Sequence, residues 1–191
     1  IASLIATAVG TLIALALVRY QFRGRASTNI LIFLPLSTPE IVLGASLLTL
    51  FLNATFITVQ FGFWTILIAH IMFCISFAVV TVKARLVGFD RHLEEAAMDL
   101  GANEWRTFQK VTLPLIAPAI LAALLLCFAI SIDDFVVTYF NSGSSVTFPL
   151  FVWGAARIGA PPQVNVIGTA IFVIALTAAT ALVWLSSAGH R

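Results

Sequence analysis

The chemistry open to this chain rests on few side chains. Eight Asp and Glu occur in 191 residues, and two pairs are adjacent, Glu94–Glu95 and Asp133–Asp134. Neighbours on a helix point about 100° apart, so Asp133 and Asp134 are poorly placed for an aspartyl catalytic dyad. They suit separate roles: one faces a pathway, while the other holds a helix end or pairs with Arg157. Glu40 follows Pro39 inside an apolar run. A carboxylate there must face protein or water, so it either takes a backbone donor freed by Pro39 or lines a path. His70, His92 and His190 are scattered, a poor basis for a zinc site. Cys74 and Cys127 lie in apolar runs and read as small buried hydrophobes. No GxxxxGK[ST], HExxH or GxSxG pattern is present. The residues therefore supply no catalytic centre, no cofactor site and no metal site.

The elements that must position these residues follow from composition. The chain is 61% hydrophobic and 9% charged, where a soluble domain carries about 25% charged residues. A net charge of +2 without a dense basic run excludes a nucleic-acid-coating protein. The sequence predicts an all-α integral membrane protein. Its five apolar runs, about 1–18, 30–52, 61–82, 115–137 and 164–187, approach the roughly 20 residues that span a bilayer. They show no strand alternation. If every run crosses, the ten Lys and Arg fall on one side except Arg157. The positive-inside rule makes that side cytoplasmic, the C-terminus included. The segment 53–60, between the second and third runs, is uncharged.

The loop after the third run is unusually patterned. It reads KARLVGFDRHLEEAAMDLGANEWRTFQKVTLPLIAP. Asp90 is placed to cap a helix through Leu100. Leu93, Ala96, Ala97 and Leu100 share one face of it, with Glu94 and Glu95 at its edge or beyond. Gly101 bends the chain, and a second short helix, about 103–111, carries Trp105, Phe108 and Lys110. Pro114 and Pro118 open the fourth long helix. Such a loop either lies on the membrane surface or forms a docking knob for a soluble partner.

Glu95-Ala96-Ala97, then Gly101, Val111 and Leu113-Pro114, resemble the EAA signature of ABC-transporter permease subunits, with Val111 standing where the family has Ile. The stretches RYQFRGR, PEIVLGASLL, SIDDFVV and RIGAPPQVNVIGT are similar to those of the PotC-like family of polyamine (spermidine/putrescine) permeases, and nearly the whole chain takes part. The resemblance implies one permease membrane domain over residues 1–191, with six helices in the full-length protein and a first helix ahead of Ile1. It implies that Glu95, Ala96, Ala97, Gly101, Val111, Leu113 and Pro114 form the coupling loop. The implied partners are two ATP-binding cassette subunits, which hold the ATP and Mg, a second related permease and an external polyamine-binding protein. The implied location is the bacterial inner membrane.

For a polycationic cargo, Asp133, Asp134 and Glu40 become candidates for the path or gate on charge alone. The segment 138–163 is expected outside, with a short interfacial or re-entrant helix near 149–158. Tyr139 and Trp153 there can stack on an ammonium group or anchor the membrane interface. Iron, thiamine or phosphonate cargo is the alternative within the family. A secondary transporter or channel is the alternative outside it, but such a carrier needs its own ion site and commonly an internal repeat, and it has no use for an EAA loop.

Overall fold

In a computed structural model, residues 1–53, 60–159 and 161–188 are described. Most of the uncharged segment 53–60, together with His190 and Arg191, lies outside them. The described residues are helical, with no strand among them. All five apolar runs appear as helices: α1 (Ala2–Arg19), the pair α2 (Arg25–Ser37) and α3 (Glu40–Asn53), α4 (Phe63–Val87), α7 (Leu113–Asp133) and α10 (Pro162–Ala188). Between them lie α5 (His92–Asp99), α6 (Glu104–Thr107), α8 (Val136–Asn141) and α9 (Phe148–Ile158). Ala2–Arg19, Phe63–Val87 and the continuous stretch Glu104–Asp133 are each long and apolar enough to cross a membrane. The pair α2 and α3 makes a fourth crossing if it serves as one span. α10 begins with the apolar stretch Pro162–Ala178.

Two of the runs break where a single helix is expected. The second stops at Ser37, because Thr38 precedes a proline and is extended (φ −89°, ψ 133°). The fourth ends at Asp133, and α8 begins only at Val136.

The elements fall into two compact groups, residues 1–39 with 70–128 and residues 40–69 with 129–191. The first is packed on small side chains. Ala6, Ala14, Ala78 and Ala123 are fully buried, and a Cβ at Gly10 would lie 2.6 Å from that of Ala78. Close backbone approach of this kind suits helices in lipid, where no hydrophobic force drives one helix onto another. Cys74 and Cys127 are buried thiols. Each donates to the other's carbonyl, at 3.6 and 3.3 Å.

In the second group α3 packs on α8. Gly44 sits so close that a Cβ would come within 2.9 Å of the Phe140 ring. Asn141 is fully buried and donates to the carbonyls of Val137 and Gly44, at 2.9 and 3.3 Å. Its own carbonyl accepts from the Thr65 hydroxyl at 2.7 Å.

Candidate functional site

The patterned loop folds as its caps dictate. Asp90 accepts from the His92 amide at 3.0 Å, and Asn103 accepts from the Arg106 amide at 2.8 Å. Each satisfies an amide that a helix start leaves without a partner. α5 closes in a Schellman turn, in which the Gly101 amide donates to Met98 and the Ala102 amide to Ala97. Gly101 takes φ +86° there, the left-handed conformation that glycine adopts without penalty. Open space surrounds its Cβ position within the chain, so backbone conformation alone calls for glycine.

The second short helix differs from the expected 103–111. Its α-helical part is Glu104–Thr107, and Phe108–Thr112 is a π-helical turn that runs into α7. Pro114 supplies the physical reason. It has no amide proton for the Lys110 carbonyl, and its ring would crowd that carbonyl in a regular helix. Widening to an i→i−5 bond, seen from the Leu113 amide to the Phe108 carbonyl, relieves both problems.

The stripe predicted from periodicity faces outward. Leu93 is 47% exposed and Leu100 90% exposed, Ala96 is exposed and Ala97 half-buried. Trp105 is 64% exposed and stacks on Phe108. Glu95 is also outward and meets His92 at 3.2 Å. Val111 is half-buried in the π turn, and Leu113 and Pro114 are exposed in the first turn of α7.

The buried side chain of α5 is Glu94. One carboxylate oxygen accepts from Arg19 Nη1 at 2.8 Å. The other accepts from Arg19 Nη2 and from the Thr112 hydroxyl. Burial works to raise the Glu94 pKa, but the hydrogen bonds from Arg19 and Thr112 and the charges of Arg19 and Arg91 outweigh it, leaving the carboxyl below the usual glutamate range. Arg91 donates to the Val18 carbonyl at 3.2 Å, at the negative end of α1. Helical periodicity sets Glu94 at the edge of the stripe or beyond and assigns it no role. The available signal was a basic residue in the last turn of α1 and a hydroxyl just ahead of Leu113-Pro114.

In the other group, the aspartates take separate surroundings, Asp133 as the last residue of α7 and Asp134 just past it. Asp134 is buried and accepts from the Val137 and Thr138 amides, at 3.3 and 2.8 Å, and from the Thr138 hydroxyl at 2.9 Å. It thus holds the start of α8. Asp133 is exposed. It lines a cleft of 320 Å³ with Phe135, Phe148, Val152 and Trp153. Phe135 and Tyr139 both meet the Trp153 ring, with centroids 5.5 and 5.7 Å apart. The Arg157 guanidinium lies 3.8 Å from the Trp153 centroid; the sequence reading offered this arginine as a partner for the aspartates. Glu40 is the first residue of α3 and is exposed, where a carboxylate favours the helix dipole. It is not among the residues lining the cleft.

Membrane-length apolar helices, joined by a capped loop with an outward apolar face, define the class: an all-helical membrane protein. Fold comparison agrees. The MetNI methionine ABC transporter, solved in inward-facing conformations, superposes with a TM-score of 0.72 at 17% identity, over 100% of this chain and 90% of that one. Residues 6–188 match the family of binding-protein-dependent transport system inner membrane components, and the chain belongs to that family. Among curated relatives, the spermidine/putrescine transport system permease protein PotC of Escherichia coli K12 is 43% identical over 172 residues, 90% of this chain. The putrescine transport system permease protein PotI of the same organism is 41% identical over 171 residues, 87% of this chain and 61% of that protein. The chain spans 64% of the length of the PotC relative.

Proposed function

We propose that this chain is the membrane-spanning permease part of an ATP-driven importer that carries polyamines inward, with residues 1–191 forming one permease domain. The observation that carries the reading is the outward apolar face of α5, bearing the EAA signature on a firmly capped helix. The likeness to polyamine permeases over most of the chain supports the cargo. Glu95, Ala96, Ala97 and Gly101, with Val111, Leu113 and Pro114, form the surface that meets an ATP-binding cassette subunit. Leu93, Leu100 and Trp105 supply the apolar contact such a groove would bury. ATP and Mg belong to that partner, and this chain does no covalent chemistry.

Asp133 offers a carboxylate beside the Phe135 and Trp153 rings, a setting that suits a primary ammonium group by charge and by cation–π attraction. Asp134 serves the same region by fixing α8. Tyr139 and Trp153 shape the aromatic wall. Arg157 beside Trp153 competes with a bound cation for that ring, so an approaching ammonium would displace it or use another face. Glu40, exposed at a helix start, is a second candidate for the path. The complex would further comprise a second related permease, a second ATP-binding subunit and an external polyamine-binding protein, in a bacterial inner membrane with the C-terminus inside.

The test is uptake of radiolabelled spermidine and putrescine by the full-length complex in proteoliposomes. Uptake that requires ATP hydrolysis supports the reading. An active ATPase without polyamine uptake redirects the cargo to iron, thiamine or phosphonate. Uptake that is indifferent to ATP overturns the importer class in favour of a secondary carrier.

A further inference from the structure

An eight-residue helix that receives a mechanical push must be fastened to what it moves. The apolar side chains of α5 and its end fasten it weakly: Leu93, Met98 and Leu100 are exposed and Ala97 is half-buried, while the side chain α5 buries is Glu94. Glu94 joins three pieces of backbone at once. It is paired bidentately with Arg19 at the end of α1. It also takes the hydroxyl of Thr112 in the π turn that leads into α7. Thr112 is fully buried, and the Arg19 side chain is only 27% exposed. The Arg19 guanidinium also lies 5.9 Å from the Phe89 ring, and Arg91, next to α5, is bonded to the Val18 carbonyl. A two-pronged arginine–carboxylate pair fixes angle as well as distance. A single point charge would leave the helix free to swivel.

We propose that Glu94, rather than the neighbouring signature residue Glu95, is the positioning residue that makes α1, α5 and the start of α7 move as one body. This rests on the reading of α5 as the ATPase-facing helix and adds the part that carries its motion inward. Glu95 faces outward and acts on the partner. Glu94 faces inward and acts on the chain's own helices. Without the Glu94 clasp, the partner still docks and still hydrolyses ATP, but α5 yields at its root and the stroke is dissipated.

The experiment uses the full importer complex in proteoliposomes, with Glu94→Gln, Arg19→Gln and their double variant, and with Thr112→Ser set against Thr112→Val. Three quantities are read: co-purification of the ATPase, ATP turnover, and polyamine taken up per ATP. Both Gln variants keep the ATPase bound and active while uptake per ATP falls about tenfold, the factor set by losing one charge-assisted hydrogen bond. The double variant falls no further, and Thr112→Ser keeps the ratio that Thr112→Val lowers. A spin label at Leu100→Cys gains mobility in Glu94→Gln, a readout that needs no partner. Unchanged uptake per ATP overturns the proposal. So does a double variant whose loss is the product of the single losses, and so does failure of all the variants to yield folded complex, which would make Glu94 a folding residue. Failure of the unaltered chain to hold any ATPase sinks the docking reading instead, and is recognised because the wild-type complex itself is missing.

Discussion

The chain contains two adjacent carboxylate pairs, and each is split in the same way. In the loop, Glu94 is buried and Glu95 exposed; at the end of α7, Asp134 is buried and Asp133 exposed. Successive helical side chains diverge by about 100°, which lets Glu94 and Glu95 face different surroundings, and Asp134 gains a similar separation by lying just past the end of α7. The inward members differ in span. Asp134 holds amides three and four residues ahead, a local cap. Glu94 holds Arg19 and Thr112, 75 and 18 residues away in sequence, a tie between elements. A local cap sets where one helix begins. A long-range clasp sets how several helices are held together, and its loss is felt well beyond its own turn.

The largest expected effect tests that difference. Glu94→Ala leaves the Arg19 guanidinium without its main partner in a half-buried setting, and removing one member of such a pair costs on the order of 3 kcal/mol. Glu95→Ala, on the exposed face, costs under about 0.5 kcal/mol. Thermal unfolding of the two purified variants in detergent checks the ordering. Equal losses would end the distinction between clasp and outward contact.

At the other pair the effects are smaller and divide by type. Asp134→Ala removes the cap of α8 and costs about 1 to 2 kcal/mol, while Asp133→Ala leaves unfolding unchanged. Uptake reverses the emphasis: Asp133→Ala lowers polyamine uptake by raising the apparent KM, because the carboxylate beside Trp153 is lost while the fold stands. A Asp133→Ala variant that imports normally would remove the aspartate from the path. Next comes Gly101→Ala, which costs about 1 kcal/mol for a left-handed backbone. The added methyl meets nothing within its own chain. Any loss of ATPase binding beyond that destabilisation therefore reports steric contact with a partner.

What the sequence made legible was mostly local. Asp90, Asn103 and Gly101 mark the ends of the loop helices through side-chain caps and a positive φ, and these signals act over four residues or fewer. Pro39 marks the break in the second apolar run as plainly, although the run's uniform hydropathy masked it. The identity of the inward carboxylate was not legible. Periodicity groups Leu93, Ala96, Ala97 and Leu100 on one face, and that face is outward, as a surface or docking helix requires. The pattern carries no sign that the polar side finds Arg19, 75 residues away in sequence. The end of α7 was half legible: one aspartate was expected to hold a helix end, and Asp134 does so, but no pattern foretold that Arg157 would lie on Trp153.

Acidification should produce the smallest change, and its sign is fixed. The folded-state pKa of Glu94 lies below its unfolded value because the Arg19 and Thr112 hydrogen bonds and nearby positive charges outweigh burial. Its contribution is therefore fully present above the unfolded glutamate pKa and is lost as pH falls through the lower, folded value. Protonation keeps the shape of the side chain and part of its hydrogen bonding, so the loss stays below that of Glu94→Ala. Unfolding of the wild type should thus become easier at acid pH, and Glu94→Gln should flatten that slope while Glu95→Gln leaves it steep. A slope that Glu95→Gln flattens instead would place the titrating carboxylate on the outward face and invert the comparison between the two glutamates.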